Sequence, residues 1–534
     1  MILKKILILL LIIYITIFNI QCINTIKDEK ITDPIKIDTG LISGILLNEK
    51  ENIRIYKGIP YAFPPIGENR WKPPKDPKPW DGVKECIKFG PVCPQPKSSL
   101  STFERSNKFS EDCLYLNVWT PAKSTNDKLP VMVWVHGGIY SIGSGSMSIY
   151  DGENLCKKGV VVVTINYRLG PFGFFAHESL SEESEQKVSG NYGILDQIFA
   201  LKWIKKNINA FGGNPENITI FGESAGAGSV TCLLVSPLSK GLFHKAIAQS
   251  GSYYLKCRDL KKHTNNLEPM EKVGEKITKM LNCDKSLDVL NCLRSVTAEK
   301  LLNTTNPELE LFGNGIKFEP VIDGYVIPDI PSVLFEKGLY NKVPFLTGTN
   351  ADEGTILAPD LDDISINGYK AFIKLTFGEK YEEDIFNFFP AKTDKDVPEA
   401  LNKLITVSVF VTPAREIIRE ISKSEDNCFL YHFVRVPLFS KKANLGSFHG
   451  LEILYVFQNL GEPFTEKDKE ISRIMSKYWV NFARSGDPNS NELFLWEKYN
   501  ETGDKNIEIG EVIKINANLY KNECDLFAKI YKEW

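Results

Sequence analysis

An α/β fold built on a large, mostly parallel sheet is predicted by three observations. Short apolar runs alternate with helical patterns along the chain, some runs are β-branched almost throughout, and glycine-rich turns end them. Val131–Val135 is one such strand, introduced by Pro130 and closed by Gly137-Gly138. Val160–Ile165 is nearly all β-branched, as a strand buried on both faces should be. Ile194, Ile198, Leu201, Ile204 and Ile208 then share one apolar helical stripe, which Phe211-Gly212-Gly213-Asn214-Pro215 terminates. Ile218–Phe221, Ala246–Gln249, Phe345–Leu346 and Cys428–Val434 continue the strand series. Residues 255–320 and 355–425 are mostly helical and charged, and read as insertions covering the sheet rather than as independent domains.

Bulk composition narrows the class further. The 534 residues are 43% hydrophobic and 25% charged, with net charge −3, which gives ample apolar material for a large core. This balance offers no basic surface for nucleic acid, and short groups such as Lys205-Lys206 and Lys261-Lys262 read as solvated faces. Lys4 and Lys5 precede an apolar run from Ile6 to Ile20, the pattern of a secretory signal peptide. The run is shorter than the ~20 apolar residues of a spanning helix. Residues 1–22 are therefore expected to be removed, leaving 23–534 as a single secreted domain without a membrane anchor.

The cysteines suit an oxidising compartment. None forms a CxxC pair, and neither a metal site nor an organic cofactor is expected. Cys93/Cys113 and Cys283/Cys292 are close enough in sequence to staple loops, although spacing alone does not fix connectivity. Asn303-Thr-Thr and Asn500-Glu-Thr are acceptable glycosylation sequons on polar segments, whereas Asn217-Ile-Thr opens a buried-looking strand and is discounted.

The chemistry centres on Gly222-Glu223-Ser224-Ala225-Gly226. A buried strand precedes this GxSxG match and a small-residue helix follows, which is the setting of a nucleophile elbow. The two glycines remove side chains from a tight turn and leave the Ser224 hydroxyl exposed. The helix start offers the Ala225 N–H and a positive dipole end to a developing oxyanion. A serine nucleophile needs a base. Of six histidines, His432 sits inside a strand pattern, where a satisfied core histidine is the simpler reading. His449 lies in Gly446-Ser447-Phe448-His449-Gly450, a loop before an apolar segment, and is last in the chain, as the order Ser, acid, His requires. The acid should follow a strand between them; Asp352 and Glu353 both do, and spacing does not choose. His136-Gly137-Gly138-Ile139-Tyr140 supplies a turn whose N–H groups can face the reacting oxygen.

With these residues in place, the chain resembles the type-B carboxylesterase/lipase family of the α/β-hydrolase superfamily, to which cholinesterases also belong. The resemblance runs through Gly58-Ile59-Pro60-Tyr61-Ala62, Glu111 to Asn117, Asn166-Tyr167-Arg168-Leu169-Gly170, Asp196-Gln197, Phe211-Gly212-Gly213, Phe221 to Gly226 and Asn350 to Gly354. It implies the α/β-hydrolase fold and a Ser224–Glu353–His449 triad, with Glu353 rather than Asp352 as the acid. Oxyanion donors from Gly138, Ile139 and Ala225 follow from it, as do disulfides Cys93–Cys113 and Cys283–Cys292. Glu223 looks like the family's electrostatic neighbour of the nucleophile.

Three positions depart from the pattern. Ile139 stands where a third glycine is usual, so a β-branched side chain would crowd the carbonyl and resist unusual backbone angles. The Cys93–Cys113 loop has no tryptophan, which removes the main platform for a quaternary ammonium and argues against acetylcholine. Cys524 resembles the family's last cysteine, but Val411 stands at its partner position. The expected activity is hydrolysis of a small-molecule carboxylic ester through an acyl-enzyme, without cofactor. The competing expectation is a catalytically impaired relative with an adhesion, storage or structural role.

Overall fold

Twelve strands form one sheet in the computed structural model, which describes residues 30–533 apart from 49, 255–256, 265–266, 313–314 and 358–363. The expected signal peptide lies outside the described residues. In chain order the strands are β1 (Lys30–Ile31), β2 (Ile45–Asn48), β3 (Ile53–Pro60), β4 (Tyr115–Thr120), β5 (Leu129–Val135) and β6 (Val161–Ile165). The series continues with β7 (Gly213–Glu223), β8 (Lys245–Gln249), β9 (Phe345–Asn350), β10 (Cys428–Phe433), β11 (Lys505–Ile509) and β12 (Ile513–Ala517). Across the sheet they run β1-β2-β3-β4-β6-β5-β7-β8-β9-β10-β11-β12. Every pairing from β6 through β11 is parallel, while both flanks are antiparallel.

Register explains why these strands read as continuous apolar runs. Trp134, Phe221, Ile247, Leu346 and Phe429 are aligned neighbours across the parallel centre. They share a buried cluster with Phe457 and Trp479, from helices α5 (Leu451–Phe457) and α6 (Glu466–Ser485), so one face of the sheet is sealed by aromatic packing. The Trp134 ring meets Phe221 and Phe457 edge-on, at 4.9 and 5.1 Å between centroids. The next residues along each strand, Val133, Ile220, Ala246 and Phe345, point to the opposite face. There they pack with α1 (Tyr192–Asn207) and α2 (Ala225–Val235). Ile194, Ile198, Leu201, Ile204 and Ile208 are all buried, as their spacing predicts.

The inserted stretches are helical, as expected, with helices at Met270–Met280, Val289–Ser295 and Ala298–Thr305 in the first. The second includes α3 (Val397–Ile405) and α4 (Thr412–Ser422), joined by a π turn over Thr406–Val411. The antiparallel flanks were not anticipated from the sequence. β3 carries Arg54, Lys57 and Gly58 and its register slips between Tyr56 and Ile59, which interrupts a clean alternation.

Cys283 and Cys292 are disulfide-bonded, 5.6 Å apart at Cα. The expected Cys93–Cys113 bridge is not formed: both residues are unbonded buried thiols. Cys93 Sγ accepts the Leu169 N–H at 3.2 Å, and burial strongly disfavours thiolate at Cys113. Val411 and Cys524 lie in one buried apolar cluster, and Cys524 is a free thiol.

A buried ion pair ties the turn after β6 to α1. The Arg168 guanidinium donates twice to Asp196, at 2.7 Å each, and the Arg168 backbone N–H donates a third bond at 3.0 Å. Neither side chain is more than 2% exposed. Removing the cation strands a desolvated carboxylate, so Arg168→Met should cost about 3–5 kcal/mol in equilibrium denaturation. A loss below about 1 kcal/mol would show that this pair does not hold the turn.

Candidate active site

In a parallel sheet, functional groups collect at the carboxyl ends of strands, near the point where strand order reverses. Here β6 lies on one side of β5 and β7 on the other, and the loops leaving β5 and β7 meet. Ser224 follows β7 directly, with φ 56° and ψ −124°, and α2 begins at the next residue. This turn is sterically enforced. A methyl group at Gly226 would overlap the Val135 carbonyl oxygen, and one at Gly222 would lie 2.7 Å from that same oxygen. The Ser224 N–H donates to the Gln249 carbonyl at 3.0 Å, which ties the elbow to β8.

The loop after β5 wraps the other side. Gly138, Ile139 and Tyr140 have φ of 110°, 53° and 55°. The Gly138 carbonyl accepts from the Ser141 and Ile142 N–H groups, and the Tyr140 carbonyl accepts from Gly170. The N–H groups of Gly138 and Ile139 meet no acceptor among the described residues. Ala225 is the first residue of α2, so its N–H has no carbonyl one turn back. A β-branched residue in the left-handed region costs on the order of 1–3 kcal/mol, which the surrounding hydrogen bonds must offset.

Glu353 lies just beyond β9 and is fully buried. Its Oε1 accepts the Asn350 N–H at 2.7 Å, and its Oε2 accepts from His449 Nδ1 at 2.7 Å. Asp352, the neighbouring carboxylate, is engaged elsewhere. Its Oδ2 accepts the Ser447 N–H at 2.8 Å and its Oδ1 accepts from Asn402 at 2.9 Å, so it pins the loop that carries His449.

The imidazole Nε2 faces Glu223 Oε1 at 3.1 Å, and no Ser224–His449 hydrogen bond is formed. His449 is thus held between two carboxylates. A third, Glu452, lies one helical turn on, fully buried, and accepts from Asn350 at 2.6 Å and Gln249 at 3.2 Å. Burial alone would lower the His449 pKa. The Glu223 charge, followed by the Glu353 hydrogen bond and charge, reverses that and raises it to about 9. Burial is also the main cause that lifts Glu223 to about 8 and Glu452 to about 7. The Phe410 ring, delivered by the π turn, packs against the imidazole at 5.0 Å between centroids.

Of the residues singled out from the sequence, Gly138, Ile139, Glu223, Ser224, Ala225, Glu353 and His449 gather at this end of the sheet. His432 is a core residue of β10, as anticipated. Asn303 and Asn500 are exposed, and the Asn217 side chain donates to the Arg484 carbonyl within the structure. Phe410 and Glu452 were missed as site residues, and Asp352, weighed as a candidate acid, instead holds the histidine loop. A carboxylate amid Leu451 and Ile453, next to the histidine, was the available signal for Glu452; Phe410 carried none.

Comparison with known proteins agrees with this architecture. A model of the carboxylesterase family matches residues 32–527. The chain is 35% identical to fumonisin B1 esterase of Sphingopyxis macrogoltabida, over 89% of this chain and 86% of that protein. It is likewise 35% identical to para-nitrobenzyl esterase of Bacillus subtilis, over 86% and 91% respectively. Carboxylesterase 1D of Rattus norvegicus matches at 36% identity over 84% of each chain. A solved PNB esterase structure superposes with TM-score 0.79 and 33% identity, covering 93% of this chain and 99% of that one. The fold is that of an α/β-hydrolase. More narrowly, the protein belongs to the carboxylesterase family and is a carboxylic ester hydrolase.

Ile139 offers a test of whether the turn after β5 supplies N–H groups to an oxyanion. Ile139→Gly relieves its backbone strain and removes a β-branched side chain from the turn. Turnover of a bulky-acyl p-nitrophenyl ester should rise about tenfold, equivalent to ~1.4 kcal/mol, with a smaller gain on the acetate. Equal or reduced turnover on both esters would show that the side chain does not crowd the acyl group.

Proposed function

We propose that the protein is a secreted serine carboxylesterase that hydrolyses small-molecule esters through an acyl-enzyme on Ser224. The observation that carries this reading is the 2.7 Å Glu353–His449 bond, set beside a serine whose turn leaves no room for a side chain two residues before it, at Gly222, or two after, at Gly226. Ser224 Oγ attacks the ester carbonyl while His449 Nε2 takes its proton and later returns it to the leaving alcohol. The imidazole then activates water for deacylation, and Glu353 fixes its tautomer throughout. Gly138, Ile139 and Ala225 N–H groups receive the oxyanion.

In the resting site Nε2 turns toward Glu223, so the ring must swing to Ser224 when substrate arrives. Catalytic hydrogen bonds commonly tighten only in the substrate complex. Glu223 and Glu452 balance the charge on the imidazolium when ionised, and their raised pKa values let them take up protons when the ring is neutral.

Secretion is supported by the basic and apolar segment of residues 1–22, the Cys283–Cys292 disulfide and the exposed sequons at Asn303 and Asn500. The mature chain is read as one domain from residue 23, consistent with a single central sheet. Among the described residues no helix is long and apolar enough to cross a membrane. The relatives' names range from a fumonisin esterase to a para-nitrobenzyl esterase. Reaction class therefore transfers more securely than any one substrate.

Two experiments test the reading. Purified protein should hydrolyse a short p-nitrophenyl ester and take one organophosphate adduct on the Ser224 peptide, and Ser224→Ala should lose both. Turnover in the absence of Ser224, or no adduct in the wild type, would favour the non-catalytic alternative. The second is a pH profile. A base must be neutral to act, so kcat/KM should climb as pH rises through the imidazolium pKa. Glu223 contributes the largest raising charge on that group, so Glu223→Gln should move the acidic limb to lower pH. An unmoved or upward-shifted limb would contradict this role.

A further inference from the structure

Away from the triad, a pocket of about 440 Å³ opens between β3 and the loop that joins Cys93 to Cys113. Its floor is apolar, made by Ile87, Phe89 and Pro91. Its rim is cationic, made by Lys57, Lys88, Arg105 and Lys108, and no carboxylate lines it. Backbone bonds pre-form the walls. The Lys57 N–H donates to Cys86 at 2.7 Å, Val92 to Lys108 at 2.9 Å, and Ser110 to Val92 at 3.0 Å.

The nearby acids are already committed. Asp151 neutralises Arg105 at 2.5 Å, and Glu104 accepts the Arg105 and Ser106 N–H groups together with the Ser144 and Ser146 hydroxyls. Lys88 and Lys108 are exposed and form no ion pair among the described residues. Lys57 Nζ stands 5.3 Å from the Phe89 ring centre, so cation and aromatic face already share the pocket. Excess positive charge above an aromatic floor, in a chain whose overall charge is negative, selects an anion that also carries apolar surface.

We propose that this pocket is a second ligand site, taking a small amphipathic anion whose short alkyl or aryl tail lies on Phe89 and whose carboxylate or sulfate head sits between Lys88 and Lys108. The site shares no residue with the triad or the oxyanion turn, so it stands independently of the esterase reading.

Calorimetric titration of the full protein with octyl sulfate tests it, with octan-1-ol and inorganic sulfate as half-ligands. The expected result is saturable one-site binding that neither half-ligand matches. The double variant Lys88→Glu/Lys108→Glu should bind at least tenfold more weakly while hydrolysing p-nitrophenyl acetate at the wild-type rate, since both side chains are exposed and belong to neither the triad nor the turn after β5. Octyl sulfate affinity unchanged in that variant, octan-1-ol binding as tightly as octyl sulfate, or no saturable binding to the wild type would each overturn the proposal.

Discussion

The contact on which the site depends is the approach of α2 to the end of β5, where Gly226 lies against the Val135 carbonyl. No residue with a side chain fits there, and the same oxygen limits Gly222. Because the helix can come this close, the chain reverses within one residue and Ser224 stands proud of the sheet with its φ at 56°. The same closeness brings the β5 loop over the helix start. Gly137 backs onto Glu223 and Ser224, and the N–H groups of Gly138 and Ile139 meet no acceptor among the described residues. The exposed Ser224 turn and the turn after β5, the proposed nucleophile and oxyanion donors, are thus shaped by one packing constraint.

The second organising feature is electrostatic. Three carboxylates, Glu223, Glu353 and Glu452, converge on one imidazole in a region that excludes most water. Desolvation and mutual repulsion raise the Glu223 and Glu452 pKa values, while the Glu223 charge and the Glu353 hydrogen bond and charge outweigh the ring's own desolvation and make it more basic. Phe410 closes one side of the imidazole, and Asp352 fastens the loop that carries it through Ser447. Adjacent acids in the sequence therefore divide their work: one orients the ring and the other secures its backbone.

How much of this was legible depended on the range of the interaction. Strand and helix patterns of the sheet centre were readable because burial on both faces, or along one stripe, writes itself into consecutive residues. The Val131–Val135 run and the Ile194–Ile208 stripe are examples. The flanking strands were hidden because β3 mixes charged residues with a register slip, and the β11–β12 hairpin is a half-exposed edge. Ser224 and His449 were visible through local glycine context and chain order. Asp352 and Glu353 were inseparable by spacing, since both follow the same strand, and only the fold separates their hydrogen bonds. Phe410 could not be found from sequence, because its contact with His449 arises from a π turn and a long-range approach. The Cys93–Cys113 bridge implied by the family resemblance is not formed, and both residues are buried free thiols.

A crystal structure of the protein carrying a phosphonate on Ser224 tests the central claim most directly. The account requires the phosphonyl oxygen within about 3 Å of the Gly138, Ile139 and Ala225 nitrogens. It also requires the His449 ring turned from Glu223 toward the Ser224 oxygen, with its bond to Glu353 retained. A phosphonyl oxygen pointing away from those nitrogens, with the imidazole still facing Glu223, would contradict it.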